Sequence, residues 1–99
     1  MPSPAPWTAT AGIKVKIQIE PHTLRQAAER GVSVQEIREV LGTGTAMPAK
    51  YGRLAKYKVF ALHRPWKGVD YRQKRVEVVY VVEKGAIITV TVSAFYGRW

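Results

Sequence analysis

The chain has 99 residues, enough for one core and too few for two. Sixteen Lys and Arg against seven Asp and Glu give a net charge of +9, with 46% apolar residues, which excludes an acidic adaptor and a wholly disordered basic tail. With no cysteine there are no disulfides, Cys-ligated zinc sites, iron–sulfur clusters or cysteine nucleophiles, and two histidines do not make a metal site, so no metal or cofactor is expected.

Residues 1–12 carry three prolines and several small residues and read as a flexible tail ahead of a single domain over 13–99. They have neither the basic start nor the apolar run of a secretory signal, and no stretch approaches the roughly 18 apolar residues of a membrane span. A cytoplasmic protein is expected. Ile13, Val15, Ile17 and Ile19 alternate with polar residues, the period of a half-buried strand that Pro21 ends. From His22 to Arg30 the pattern is helical, with Leu24, Ala27 and Ala28 on one face and Gly31 as a stop. Ser33 and Glu36 form a capping box, and Val34, Ile37, Val40 and Leu41 follow as a helical stripe closed by Gly42.

Thr43 to Arg53 reads as loop or ragged strand, Tyr57 to His63 as a strand, and Arg64 to Gly68 as a turn or longer loop. Arg75 to Glu83 is apolar on both faces and should be a central strand, with Val76, Val78, Tyr80 and Val82 facing one way. Lys84-Gly85 makes a tight turn into a partner strand over 86–94, with Ile88, Val90 and Val92 on one face and Thr89, Thr91 and Ser93 on the other. The order β-α-α-β-β-β predicts an α+β domain, a helical hairpin packed on a twisted antiparallel sheet.

The charge is uneven. Residues 1–42 have net charge +1 and residues 76–99 net zero, while 43–75 hold nine basic residues against Asp70 and carry +8. That segment also contains Tyr51, Tyr57, Phe60, Trp66 and Tyr71. Cations bind phosphates and aromatic rings stack on bases, so the mixture suits RNA or another single-stranded nucleic acid. The candidate contacts are Lys50, Lys56, Lys58, Arg64, Trp66, Lys67, Arg72 and Lys74. The alternative is a solvated basic surface with its aromatics turned into the core.

His22, then Arg30-Gly31-Val32-Ser33, Glu36-Ile37 and Val40-Leu41, followed by a basic loop and a C-terminal hairpin ending Phe95-Tyr96-Gly97-Arg98-Trp99, resemble a widespread family of small, mostly uncharacterised prokaryotic domains. The resemblance covers about residues 17–99. That family is similar in architecture to the RelE/ParE/BrnT toxins, which implies a RelE-like fold. Its first helix usually carries arginines four and eight residues after the His. Arg30 matches the second, but Gln26 stands at the first.

The resemblance implies a toxin-like, metal-independent ribonuclease, or a degenerate relative, in a toxin–antitoxin-type system, with an acidic antitoxin-like partner. Such cleavage needs a base for the 2′-OH, an acid for the leaving oxygen and cations for the phosphorane charge. The candidates are His22, Arg53, Arg75, Tyr96 and Arg98. Histidine as a residue type can give or take a proton near neutrality, which singles out His22, but local hydrogen bonding or packing on a strand is the favoured role for a first-turn histidine. Two other readings stand beside the enzyme: a non-catalytic nucleic-acid-binding domain, and a protein-interaction module whose basic face takes an acidic partner or whose sheet edge takes another strand, including that of a second copy.

Overall fold

The computed structural model describes residues 16–62, 67–69 and 71–97. The expected tail, the start of the expected first strand at Ile13, Lys14 and Val15, and His63, Arg64, Pro65, Trp66, Asp70, Arg98 and Trp99 lie outside the described residues. The elements are β1 (Lys16–Gln18), α1 (Pro21–Arg30), α2 (Val34–Thr43), β2 (Thr45–Met47), β3 (Leu54–Ala61), β4 (Gln73–Glu83) and β5 (Ala86–Gly97). The fold class is α+β, with the two helices packed on one face of a five-stranded sheet ordered β1-β5-β4-β3-β2.

Two features correct the expected topology. The sheet is mixed, because β1 pairs in parallel with β5 while all other pairs are antiparallel. The ragged segment after α2 forms a further strand, β2, against Ala55–Tyr57. The long strand β4 is central, as its two apolar faces require.

Helix α1 starts at Pro21, whose missing N–H costs nothing in the first turn. It ends in a Schellman arrangement: Val32 N donates to Ala27 O (2.8 Å) and Gly31 N to Ala28 O (3.4 Å). Its buried residues are Thr23 and Ala27, whereas Leu24 is 42% exposed, so the helix is rotated from the face expected of Leu24, Ala27 and Ala28. The polar contacts described below set that rotation. Helix α2 opens with both bonds of the capping box, Glu36 N to Ser33 Oγ (3.0 Å) and Ser33 N to Glu36 Oε1 (2.9 Å). It runs past Gly42 to Thr43 and is closed by Gly44 N donating to Val40 O (2.8 Å). A Cβ on Gly44 would lie 2.3 Å from Val40 O and 2.8 Å from Tyr57 O, so only glycine lets the chain turn here from helix into β2.

Ile37, Val40 and Leu41 of α2 and Ala27 of α1 bury against Val76, Val78, Tyr80 and Val92. Lys84 (φ 50°) and Gly85 (φ 76°) join β4 to β5 in the left-handed conformation of a two-residue hairpin turn. The alternation expected along β5 is interrupted. Val79 pairs with Thr91 but Tyr80 with Thr89, leaving Val90 as an extra residue in a bulge. The bulge exchanges faces: Thr89 and Val92 both turn to the core, at 1% and 0% exposure, and Ile87 and Ala94 pack beside them.

Candidate functional site

The basic middle segment divides between two surfaces. Lys56, Lys58 and Lys74 project to the helical side. Lys56 Nζ donates to Leu41 O (2.9 Å), and Lys58 Nζ reaches Glu39 Oε2 (2.8 Å) and Thr43 Oγ1 (2.9 Å). Lys74, only 5% exposed, donates to Gly31 O and to Glu36 Oε1, both at 2.8 Å. These three ammonium groups tie the helical hairpin to the sheet.

Lys50, Arg53, Lys67 and Arg72 are exposed, but they sit in loops at opposite ends of the β3–β4 hairpin. Strand β3 separates the two groups by about 23 Å at the usual rise per residue. Among the described residues the +8 segment is thus two exposed basic ends joined by strands whose lysines bond to the helical hairpin.

His22, Gln26 and Arg30 lie on one face of α1, spaced at one helical turn, and all three address the outer edge of β5. Along β3 and β4, Leu62 N donates to Arg72 O (3.0 Å), so even-numbered residues of these strands point their backbone groups at each other. Odd-numbered β4 residues then face β5, and Val92 and its like-phased neighbours face outward. Among the described residues, β1 covers that edge over Ala86–Ile88. Beyond it, His22 Nε2 lies 2.6 Å from Val90 O, Val92 N donates to Gln26 Oε1 (3.2 Å), and Arg30 Nη1 donates to Val92 O (2.7 Å). A carbonyl only accepts, so His22 carries its hydrogen on Nε2. Gln26 accepts an amide hydrogen, which an arginine could not do.

Tyr96 also faces the helical side. Its hydroxyl donates to Arg30 O, and its ring tilts against Tyr71 with centroids 5.5 Å apart. Burial raises the Tyr96 hydroxyl pKa above its ordinary value, and the Glu36 charge adds to the rise. His22 and Arg30 bond to β5, and Gly31 and Glu36 to Lys74 of β4, so these four residues fasten the helical hairpin to the sheet while Ser33 closes the capping box on Glu36.

Among the described residues, no helix packs on the opposite face of the sheet. In one cross-strand row Glu77 stands between Tyr57 of β3 and Ser93 of β5; in the next, Arg75 stands between Val59 and Phe95. The Arg75 guanidinium lies over the Tyr57 ring at 3.9 Å from its centroid, and Arg75 Nε donates to Glu77 Oε2 (2.9 Å). Phe95 is 48% exposed. The arrangement is a planar cation, two aromatic rings, a carboxylate and a hydroxyl on neighbouring strands.

Of the cationic and catalytic candidates among the described residues, Arg75 alone lies on this face, beside Tyr57 from the aromatic set. His22 and Tyr96 are on the helical side, Arg53 is in the β2–β3 loop, and Arg64, Trp66 and Arg98 lie outside the described residues. Phe95 and Glu77 were not marked by the sequence, because what joins them to Arg75 is the register between strands. Among the described residues no three His, Asp or Glu side chains gather as a metal-ligating group, and no helix is long and apolar enough to cross a membrane. Comparison with known proteins finds no matching family model, no matching curated protein and no matching solved structure.

Proposed function

We propose that this chain is a non-catalytic domain of RelE-like architecture that binds single-stranded nucleic acid on the face of its sheet opposite the two helices. The observation that carries this reading is the Arg75–Tyr57 stack, with Phe95 half-exposed on the neighbouring strand. Bases stack on such rings and guanidinium planes, and the exposed cations at both ends of β3, Lys50 and Arg53 at one and Lys67 and Arg72 at the other, supply contacts for the phosphates of a strand laid along it. A net charge of +9 favours a polyanion at long range.

The toxin-like ribonuclease ranks second. It rests on the resemblance of the His22 to Glu36 region. Acid, base and cation must surround one phosphate for RNA cleavage, whereas His22 and Tyr96 lie across the sheet from Arg75 and bond to backbone carbonyls.

Fluorescence anisotropy with a labelled oligouridine tests the proposal. Binding should weaken steeply with added salt, and Tyr57→Ala with Phe95→Ala should cost roughly 2–4 kcal/mol in sum. Unchanged affinity in that double variant would remove the stacking face. Cleavage of the RNA in EDTA would promote the ribonuclease reading.

A further inference from the structure

A carboxylate at the centre of a surface that meets phosphates is a liability, since it repels the ligand's backbone. Glu77 occupies that position on β4, between Tyr57 and Ser93, with its side chain 22% exposed. Its bond to Arg75 uses Oε2, and among the described residues no donor reaches Oε1. The pair therefore offers an acceptor beside a planar donor, both held in place: Arg75 by the Tyr57 ring and Glu77 by Arg75.

We infer that this constellation reads a base, and that the base is guanine. The inference rests on the nucleic-acid reading above and adds its specificity. A carboxylate accepts and cannot donate. Of the four RNA bases, guanine alone presents two donors side by side, the N2 amine for the open Oε1 and N1–H for the second lone pair of Oε2. Its O6 follows on the same rim as an acceptor for the Arg75 guanidinium. Uracil presents one donor, N3–H. Adenine and cytosine present an amine next to a ring nitrogen acceptor, which a carboxylate repels. Phe95, opposite Arg75 on β5, supplies an apolar ring beside the recognised base, and the unpaired bases of a single strand leave these edges free to be read. Glu77 thus exchanges some attraction for phosphate for selection among bases.

The test uses the whole wild-type protein and labelled oligouridines that differ at one central position: guanosine, inosine, adenosine, cytidine or uridine. Guanosine should bind about tenfold tighter than adenosine or cytidine, the scale of one well-formed two-point base contact. Inosine keeps N1–H but lacks the N2 amine and should fall between. Glu77→Gln, checked for an unchanged melting temperature, should abolish the guanosine preference while binding oligouridine at least as well as wild type. Equal affinity for all five oligonucleotides, with salt-dependent binding intact, overturns the guanine assignment and leaves the nucleic-acid reading standing. Binding to none of them at low salt overturns both. A guanosine preference that survives Glu77→Gln overturns the role of Glu77.

Discussion

Lys74 and Glu36 meet at 2.8 Å beneath the first turn of α2, and the same Glu36 oxygen accepts from Ser33 N. The capping box is thereby joined to the central strand. Lys74 also holds Gly31 O, so one ammonium group secures the end of α1 and the start of α2 together. Tyr96 secures the preceding carbonyl, Arg30 O.

Lys74→Met should therefore cost stability, about 2–3 kcal/mol in urea denaturation, because a carboxylate and a carbonyl lose their shared donor at a nearly dry site. Lys58→Met, which breaks an ion pair whose side chains are 32% and 44% exposed, should cost no more than about 0.5–1 kcal/mol. Oligonucleotide affinity should remain close to wild type in Lys74→Met, since its ammonium faces the helices.

Arg53→Glu and Arg72→Glu should behave in the opposite way. Both side chains are exposed, so unfolding midpoints should change by less than about 0.5 kcal/mol. Affinity for oligouridine should fall, and the salt dependence should become shallower in each. If the two substitutions together leave the salt slope unchanged, phosphate does not contact these loops.

High pH should destabilise the fold through its tyrosines. Burial raises the Tyr80 hydroxyl pKa, and burial with the Glu36 charge raises that of Tyr96, above the ordinary value near 10. The folded state holds these protons more tightly than the unfolded chain. The resulting stabilisation is fully present below the unfolded pKa and is lost as pH rises through the folded values. Melting temperatures should fall above pH ~10, and Tyr96→Phe should show a shallower fall from a starting stability lower by about 1 kcal/mol.

The edge of β3 that faces away from β4 gives a position-specific test of register. Among the described residues β2 covers Ala55–Tyr57 of that edge, and odd-numbered β3 residues point their amides away from β4. Ala61→Pro removes an outward N–H and should cost less than about 1 kcal/mol. Lys58→Pro removes an amide that addresses β4 and should cost about 3 kcal/mol or more beyond the Lys58→Ala control. Equal losses would mean that the register is wrong.

Much of the local structure was legible in the residues. The Ser33–Glu36 box, the Val-rich central strand and the Lys84-Gly85 turn announce themselves because their signals lie within a few positions of one another. The bulge at Val90 did not, since it arises where β5 must satisfy β4 and α1 together: Thr89 turns inward and its Oγ1 accepts from Glu20 N (3.1 Å). The rotation of α1 was equally hidden, because it follows from Gln26 and Arg30 reaching Val92 on a strand 62 to 66 positions away.

The candidate site shows the same division. By itself the sequence determined the net charge, its concentration in residues 43–75 and the presence of aromatic side chains there. Composition and local periodicity need no partner strand to be read. Only the tertiary structure decided that Lys56, Lys58 and Lys74 turn to the helices, while Arg75 turns to the open face and joins Tyr57, Glu77 and Phe95. The reason is the two-residue period of a strand: neighbouring cations are sent to opposite faces, and packing of the helices on one face assigns each to structure or to solvent.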